Sequence, residues 1–215
     1  CITKTDRKVG RKQTIKECAV KIWAKEHNVD FIEISQFKNK ETQLIISELE
    51  DKKVEYGVVA DFSFIIPEEI IDWFDEKLIN IHFSLLPKYR GASPVQFAIL
   101  NNEKFTGITY HLTAKDLDSG CIIDQIKYKM PPKTAGEIYE EMFKLAAEHL
   151  PDVLQKYDKG ILEPVCQDEI DANYTYSFSH PKSTLIYKDD AEIDWSKPVA
   201  NIEAQIRAYN PWPIA

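Results

Sequence analysis

The chain lacks most of the signals that would assign it to a special class. No apolar run approaches the roughly 20 residues of a membrane-spanning helix, which excludes an integral helical membrane protein and any membrane partner. The opening CITKTDRKVGRK is polar, with no apolar stretch behind its charges, so it does not read as a secretory signal. Cys1, Cys18, Cys121 and Cys166 form no C-x-x-C and have no neighbouring histidine pair. That spacing offers no metal site, and a disulfide framework would be unusual in a domain of this size, so a reducing, cytoplasmic setting is expected. A G-x-G-x-x-G fingerprint is absent, which argues against a classical dinucleotide site. Internal repeats and low-complexity segments are absent too. The first residue is cysteine rather than methionine, so the true N-terminus is expected upstream.

What is present fits one sizeable core: 215 residues, 44% hydrophobic and 29% charged. The net charge of −8 is unevenly spread. Between Lys4 and Lys16 there are six basic residues against one acid, leaving +5 on thirteen residues and −13 on the rest. Such a run is either a solvated loop or a local contact with a polyanion such as an RNA backbone.

Periodicity predicts a helix over about Thr14–Glu26, with Ile15, Cys18, Ala19 and Ile22 on one face, and a second near Asn39–Glu50. Apolar runs at 56–60 and 78–83 read as buried strands, and 107–113 and 121–128 as two more. Thr134 and Glu137 form a capping box for the longest helix, about Ala135–Tyr157, which Pro151 should bend or break. Strand and helix alternate up to about residue 120. The expected fold is therefore α/β of Rossmann type: a mostly parallel sheet with helices on both faces. Residues 1–160 form the expected main domain, and 161–215, with shorter pieces and turns, its closing segment.

Two polar residues interrupt the strand before the Pro/Gly-rich loop 87–91. Asn80 and His82 lie at i and i+2 and so share one face, and Ser84 continues it. In open α/β sheets that edge binds ligands, and an amide beside an imidazole can offer two donors to one developing oxyanion. A buried polar pair tying two strands together would look the same. Asp118, in Asp-Ser-Gly, is either an ordinary turn residue or a carboxylate partner for His82.

The ordered string N-I-H-F-S-L-L-P-K-Y-R-G-A-S-P, then T-G-I-T and D-L-D-S-G-C-I-I, resembles the signature of folate-dependent formyltransferases. T-D-R-K-V-G-R-K resembles the loop that the methionyl-tRNA-formylating branch places beside the tRNA acceptor end. I-D-W-S-K and I-R-A-Y-N-P-W-P resemble the close of that branch's catalytic domain. The resemblance implies a formyltransferase fold lacking its first strand and helix, followed in relatives by a C-terminal domain absent here. It implies formyl transfer from 10-formyltetrahydrofolate to initiator methionyl-tRNA by a monomer, with no metal. Asn80, His82 and Asp118 become catalytic candidates. Ser84, Leu85, Leu86, Pro87, Ile65 and Ile66 become the folate wall, and Arg7, Lys8, Arg11 and Lys12 become tRNA contacts. Departures are Asp61-Phe62 where relatives have Tyr-Gly, Phe83 where they have a small residue, and Ile214 for a glycine. The competing readings are a sugar-nucleotide N-formyltransferase, a glycinamide ribonucleotide formyltransferase and a non-catalytic folate- or RNA-binding module.

Overall fold

The computed structural model describes residues 1–9 and 14–215, without the side chains of 7–9 and 14. The chain divides into two compact units, Cys1–Gly57 with Asp61–Lys77, and Val58–Ala60 with Leu78–Ala215. Among the described residues no helix is long and apolar enough to cross a membrane.

In the first unit β1 (Ile2–Lys4) pairs in parallel with β4 (Ile32–Ile34). Strands β2 (Arg7–Val9) and β3 (Thr14–Lys16) form an antiparallel ribbon, with Arg7 opposite Lys16 and Val9 opposite Thr14. The predicted first helix is thus shorter than expected: α1 spans Ala19–Glu26. Thr14 and Ile15 are β-branched and suit the extended ribbon. The Cys18 thiol then caps the helix by accepting from the Lys21 amide. The buried face is Lys21 and Ala24, while Ile15 and Ile22 are exposed. Lys21 buries its stem and places its ammonium on Asp6 and Glu33, at 3.0 and 2.9 Å. Helix α2 (Asn39–Asp51) closely matches its prediction, buries Ile45 and packs on α3 (Glu68–Phe74).

The second unit holds a four-stranded sheet in the order β5 (Gly57–Ala60), β6 (Leu78–His82), β7 (Phe105–Leu112), β8 (Ile122–Lys129). The α/β class is as expected, but the β6–β7 and β7–β8 ladders are antiparallel rather than parallel. The connections explain this. The link from β6 to β7 carries only the seven-residue α4 (Pro94–Leu100), about 10 Å of helix, too short to return the chain along an eight-residue strand. Residues 113–121 between β7 and β8 hold no helix at all, so the chain simply turns back. Helix α4 packs against α5 (Ala135–Asp158) and α6 (Val199–Ala208), and α5 also packs on β8 and receives the Tyr110 hydroxyl of β7 at Ala146 O, at 2.7 Å. The capping box at Thr134 is present, and α5 continues through Pro151, which lies on the exposed side where a freed carbonyl can be hydrated. Phe83 is accommodated by edge-on packing against Tyr139 and Phe143.

The cysteine expectation is corrected in this unit. Cys121 and Cys166 are joined in a disulfide, with Cα atoms 3.9 Å apart. They neighbour an antiparallel bridge between Ile122 and Val165, and their own pairing across 45 residues is not revealed by spacing in the sequence.

Candidate functional site

The β6–β7 register builds the site. Asn80 stands opposite His111 and His82 opposite Thr109, so two polar positions on each strand meet on one face. The loop after β7 brings in the third group. Asp118 takes a left-handed conformation (φ 52°) in a turn closed by Ser119 donating to Asp116 O. Gly120 is needed at the next corner: a Cβ there would lie 1.7 Å from the Leu112 carbonyl oxygen.

Asn80, His82 and Asp118, singled out from sequence alone, are brought together. Asn80 Nδ2 donates to Asp118 Oδ1 at 3.2 Å, and His82 Nδ1 stands 3.6 Å from Asp118 Oδ2, an ion-pair separation rather than a hydrogen bond. The Gly91 amide donates to the same Oδ2 at 2.7 Å. The other ring nitrogen of His82 lies 2.9 Å from the Tyr89 carbonyl. That oxygen can only accept, so Nε2 carries a proton there. Both side chains of the His82–Asp118 pair are more than nine-tenths buried.

Sequence reasoning missed the groups behind this trio. His111 is 2% exposed, with Nδ1 at 2.9 Å from the Leu112 carbonyl and Nε2 at 3.1 Å from Asn80 Nδ2. Burial, reinforced by nearby His82, lowers its pKa to about 4 against the opposing pull of Asp118. Gln167 donates to the carbonyls of both Asp118 and Gly120 at 2.8 Å. Its own oxygen accepts two bonds from Arg90, which also grips Glu169 and Tyr174. The loop that carries Asp118 is thus braced from a segment about 50 residues away.

The expected folate-wall residues split into two groups. Ser84 and Leu86 are buried: Ser84 Oγ donates to Lys88 O, and the backbone of both residues bonds Thr109 Oγ1, so they hold the turn. Leu85 and Pro87 are half-buried and retain surface for a ligand. Ile65, 88% exposed, and half-buried Ile66 belong to the other unit. Arg11 and Lys12 lie outside the described residues, as do the side chains of Arg7 and Lys8; the backbone of the latter two runs in β2.

A family profile described as formyl transferase matches residues 1–154, and one described as formyl transferase, C-terminal domain, matches residues 185–215. Methionyl-tRNA formyltransferase of Chloroflexus aurantiacus is 36% identical over all 215 residues, which span 66% of its length. The chain therefore covers just under two thirds of that relative. HypX from Aquifex aeolicus, solved in complex with tetrahydrofolic acid, has a TM-score of 0.68 at 17% identity. It covers 99% of this chain, which in turn covers 34% of it, and the likeness concerns the fold. WlaRD, a sugar 3N-formyl transferase solved with dTDP and 5-N-formyl-THF, has a TM-score of 0.63 at 25% identity, covering 96% of this chain and 67% of that one.

Proposed function

The chain belongs to the formyl transferase family, and from that premise we propose that it moves a formyl group from 10-formyltetrahydrofolate to the amino group of initiator methionyl-tRNA. The observation that carries the reading is the convergence of Asn80, His82 and Asp118 in one buried cluster at the end of β6. The methionyl-tRNA acceptor is supported by the 36% identity with the Chloroflexus protein and by the basic run between Lys4 and Lys16.

In this proposal the amine nitrogen attacks the formyl carbon and the carbonyl oxygen becomes an oxyanion. Collapse of the tetrahedral intermediate breaks the bond from carbon to the folate nitrogen, and the amine proton passes to that leaving nitrogen. Asn80 and His82 supply hydrogen bonds to the oxyanion, each worth about 3 kcal/mol of barrier. In the resting arrangement His82 Nε2 is engaged by Tyr89 O, so the substrate oxygen takes the place of that carbonyl. Asp118 holds both side chains and relays the proton. Leu85 and Pro87 contact the folate, with Ser84 and Leu86 fixing the turn. Arg7, Lys8, Arg11 and Lys12 meet the tRNA backbone.

A second reading, formylation of an amino-sugar nucleotide, is favoured by the likeness to WlaRD. The test is formyl transfer by the intact protein to charged initiator tRNA and, separately, to an amino-sugar nucleotide. Transfer to tRNA that His82→Ala abolishes is the expected result. Transfer to the sugar nucleotide alone would overturn the tRNA reading.

A further inference from the structure

His111 is a buried imidazole that the proposed chemistry does not use, yet it touches the one side chain whose orientation that chemistry depends on. Leu112 O can only accept, so the proton of His111 sits on Nδ1 and Nε2 is bare. A bare nitrogen 3.1 Å from Asn80 Nδ2 accepts from it. The two ends of an asparagine amide have nearly the same shape, so its orientation is set by what it faces. Here it faces two acceptors, His111 Nε2 and Asp118 Oδ1, themselves 3.8 Å apart.

We propose that His111 is a positioning residue of this site, which holds one N–H of the Asn80 amide throughout turnover and so leaves the other N–H, resting on Asp118, able to turn to the oxyanion. The inference rests on the formyl-transfer reading, in which Asp118 relays a proton. While it carries that proton, Asp118 no longer demands a donor from Asn80, and a single acceptor would let the amide turn over. His111 supplies the second acceptor. Burial disfavours its charged form. Protonation at Nε2 would instead aim an N–H at Asp118 and expel the amide from between them. The charged and titratable groups facing His111 are Asp118, His82 with ring centroids 6.3 Å apart, and Arg90, which opposes protonation.

The experiment has two independent arms in the intact protein. In the first, kcat and folate KM are measured for His111→Leu, His111→Gln, Asn80→Ala and the Asn80→Ala/His111→Leu double variant. His111→Leu is expected to lose at least tenfold in kcat with KM changed less than threefold. Gln, whose oxygen accepts from Asn80, should restore most of it. In the Asn80→Ala background the Leu substitution should cost less than twofold. Multiplying losses, or equal damage from Gln and Leu, would overturn the proposal. The second arm is 15N NMR of the wild-type histidines: Nδ1 protonated and Nε2 bare near neutral pH is expected, and a protonated Nε2 overturns the proposal without any activity assay. A wild-type protein that transfers no formyl group would sink the function proposed above and this role with it, whereas a protonated Nε2 in an active protein would overturn this inference alone. Should the Leu variant fail to fold, the Gln variant and the wild-type spectrum remain decisive.

Discussion

Two segments to which this chain's proposed function assigns direct work, the loop 116–121 and the ribbon β2–β3, are built in opposite ways. The loop is braced from every side. Asp118 accepts from Asn80 and Gly91, Gln167 holds the carbonyls of Asp118 and Gly120, Leu112 N donates to Cys121 O, and Cys121 is bonded to Cys166. The ribbon consists of two three-residue strands that, among the described residues, pair in a sheet only with each other. The difference follows from what each is proposed to do. A reacting carbonyl tolerates placement errors of only about 0.5 Å, so its carboxylate needs a braced backbone. A polyphosphate backbone is attracted by charge, which needs proximity and sign more than fixed geometry.

The sharpest way to break that comparison is to remove charge from each segment in turn. Asp118→Asn keeps the loop's shape but removes the carboxylate that Asn80, Gly91 and His82 all face. We expect kcat to fall by about 10²–10³-fold, the usual scale for removing one preorganised electrostatic interaction in acyl transfer, with folate affinity little changed. A fall of less than about threefold would remove Asp118 from the chemistry.

Replacing Arg7, Lys8, Arg11 and Lys12 together by Ala should leave kcat intact and raise KM for tRNA about tenfold. The salt dependence of log KM should weaken by roughly 0.7–0.9 for each phosphate that is no longer neutralised. An amino-sugar nucleotide or a small amine acceptor should not register the change. A drop in kcat with KM unaltered would mean that the ribbon shapes the reacting centre instead of gathering the acceptor.

How much of this is legible in the sequence depends on where the information lies. The polar pair at period 2 in β6 is local, and it points to Asn80 and His82 directly. The same signal stands in β7, where Thr109 and His111 are also two apart, but its meaning depends on the register that sets Asn80 opposite His111. Register is a long-range property, and so is the bracing of Asp118 by Gln167, 49 residues away. The disulfide lies beyond reach for the same reason. Strand direction is misread because alternation of strand and helix suggests crossovers, whereas α4 is too short to make one. The first helix reads too long because Ile15 and Cys18 fit a helical stripe. One of them instead belongs to a ribbon and the other is the cap.

The smallest expected effect concerns the brace itself and is read as stability against pH. His111 has its pKa lowered to about 4 in the fold, chiefly by burial, against about 6.5 when unfolded. Between those values the unfolded chain binds the extra proton and the native chain does not, so this group makes stability fall as pH drops from about 6.5 toward 4 and adds no further loss below. At pH 5.5 the loss relative to pH 7.5 should be about 1 kcal/mol. A variant without the imidazole, His111→Gln, should lack that component while keeping an acceptor for Asn80. Chemical denaturation of both proteins at a series of pH values isolates it, because every other titrating group is shared. Parallel stability curves between pH 4 and 7 would show that His111 gains its proton freely in the folded state. The site would then be open to solvent where the geometry closes it, and the contrast between a braced loop and a ribbon that, among the described residues, pairs only with itself would lose its physical basis.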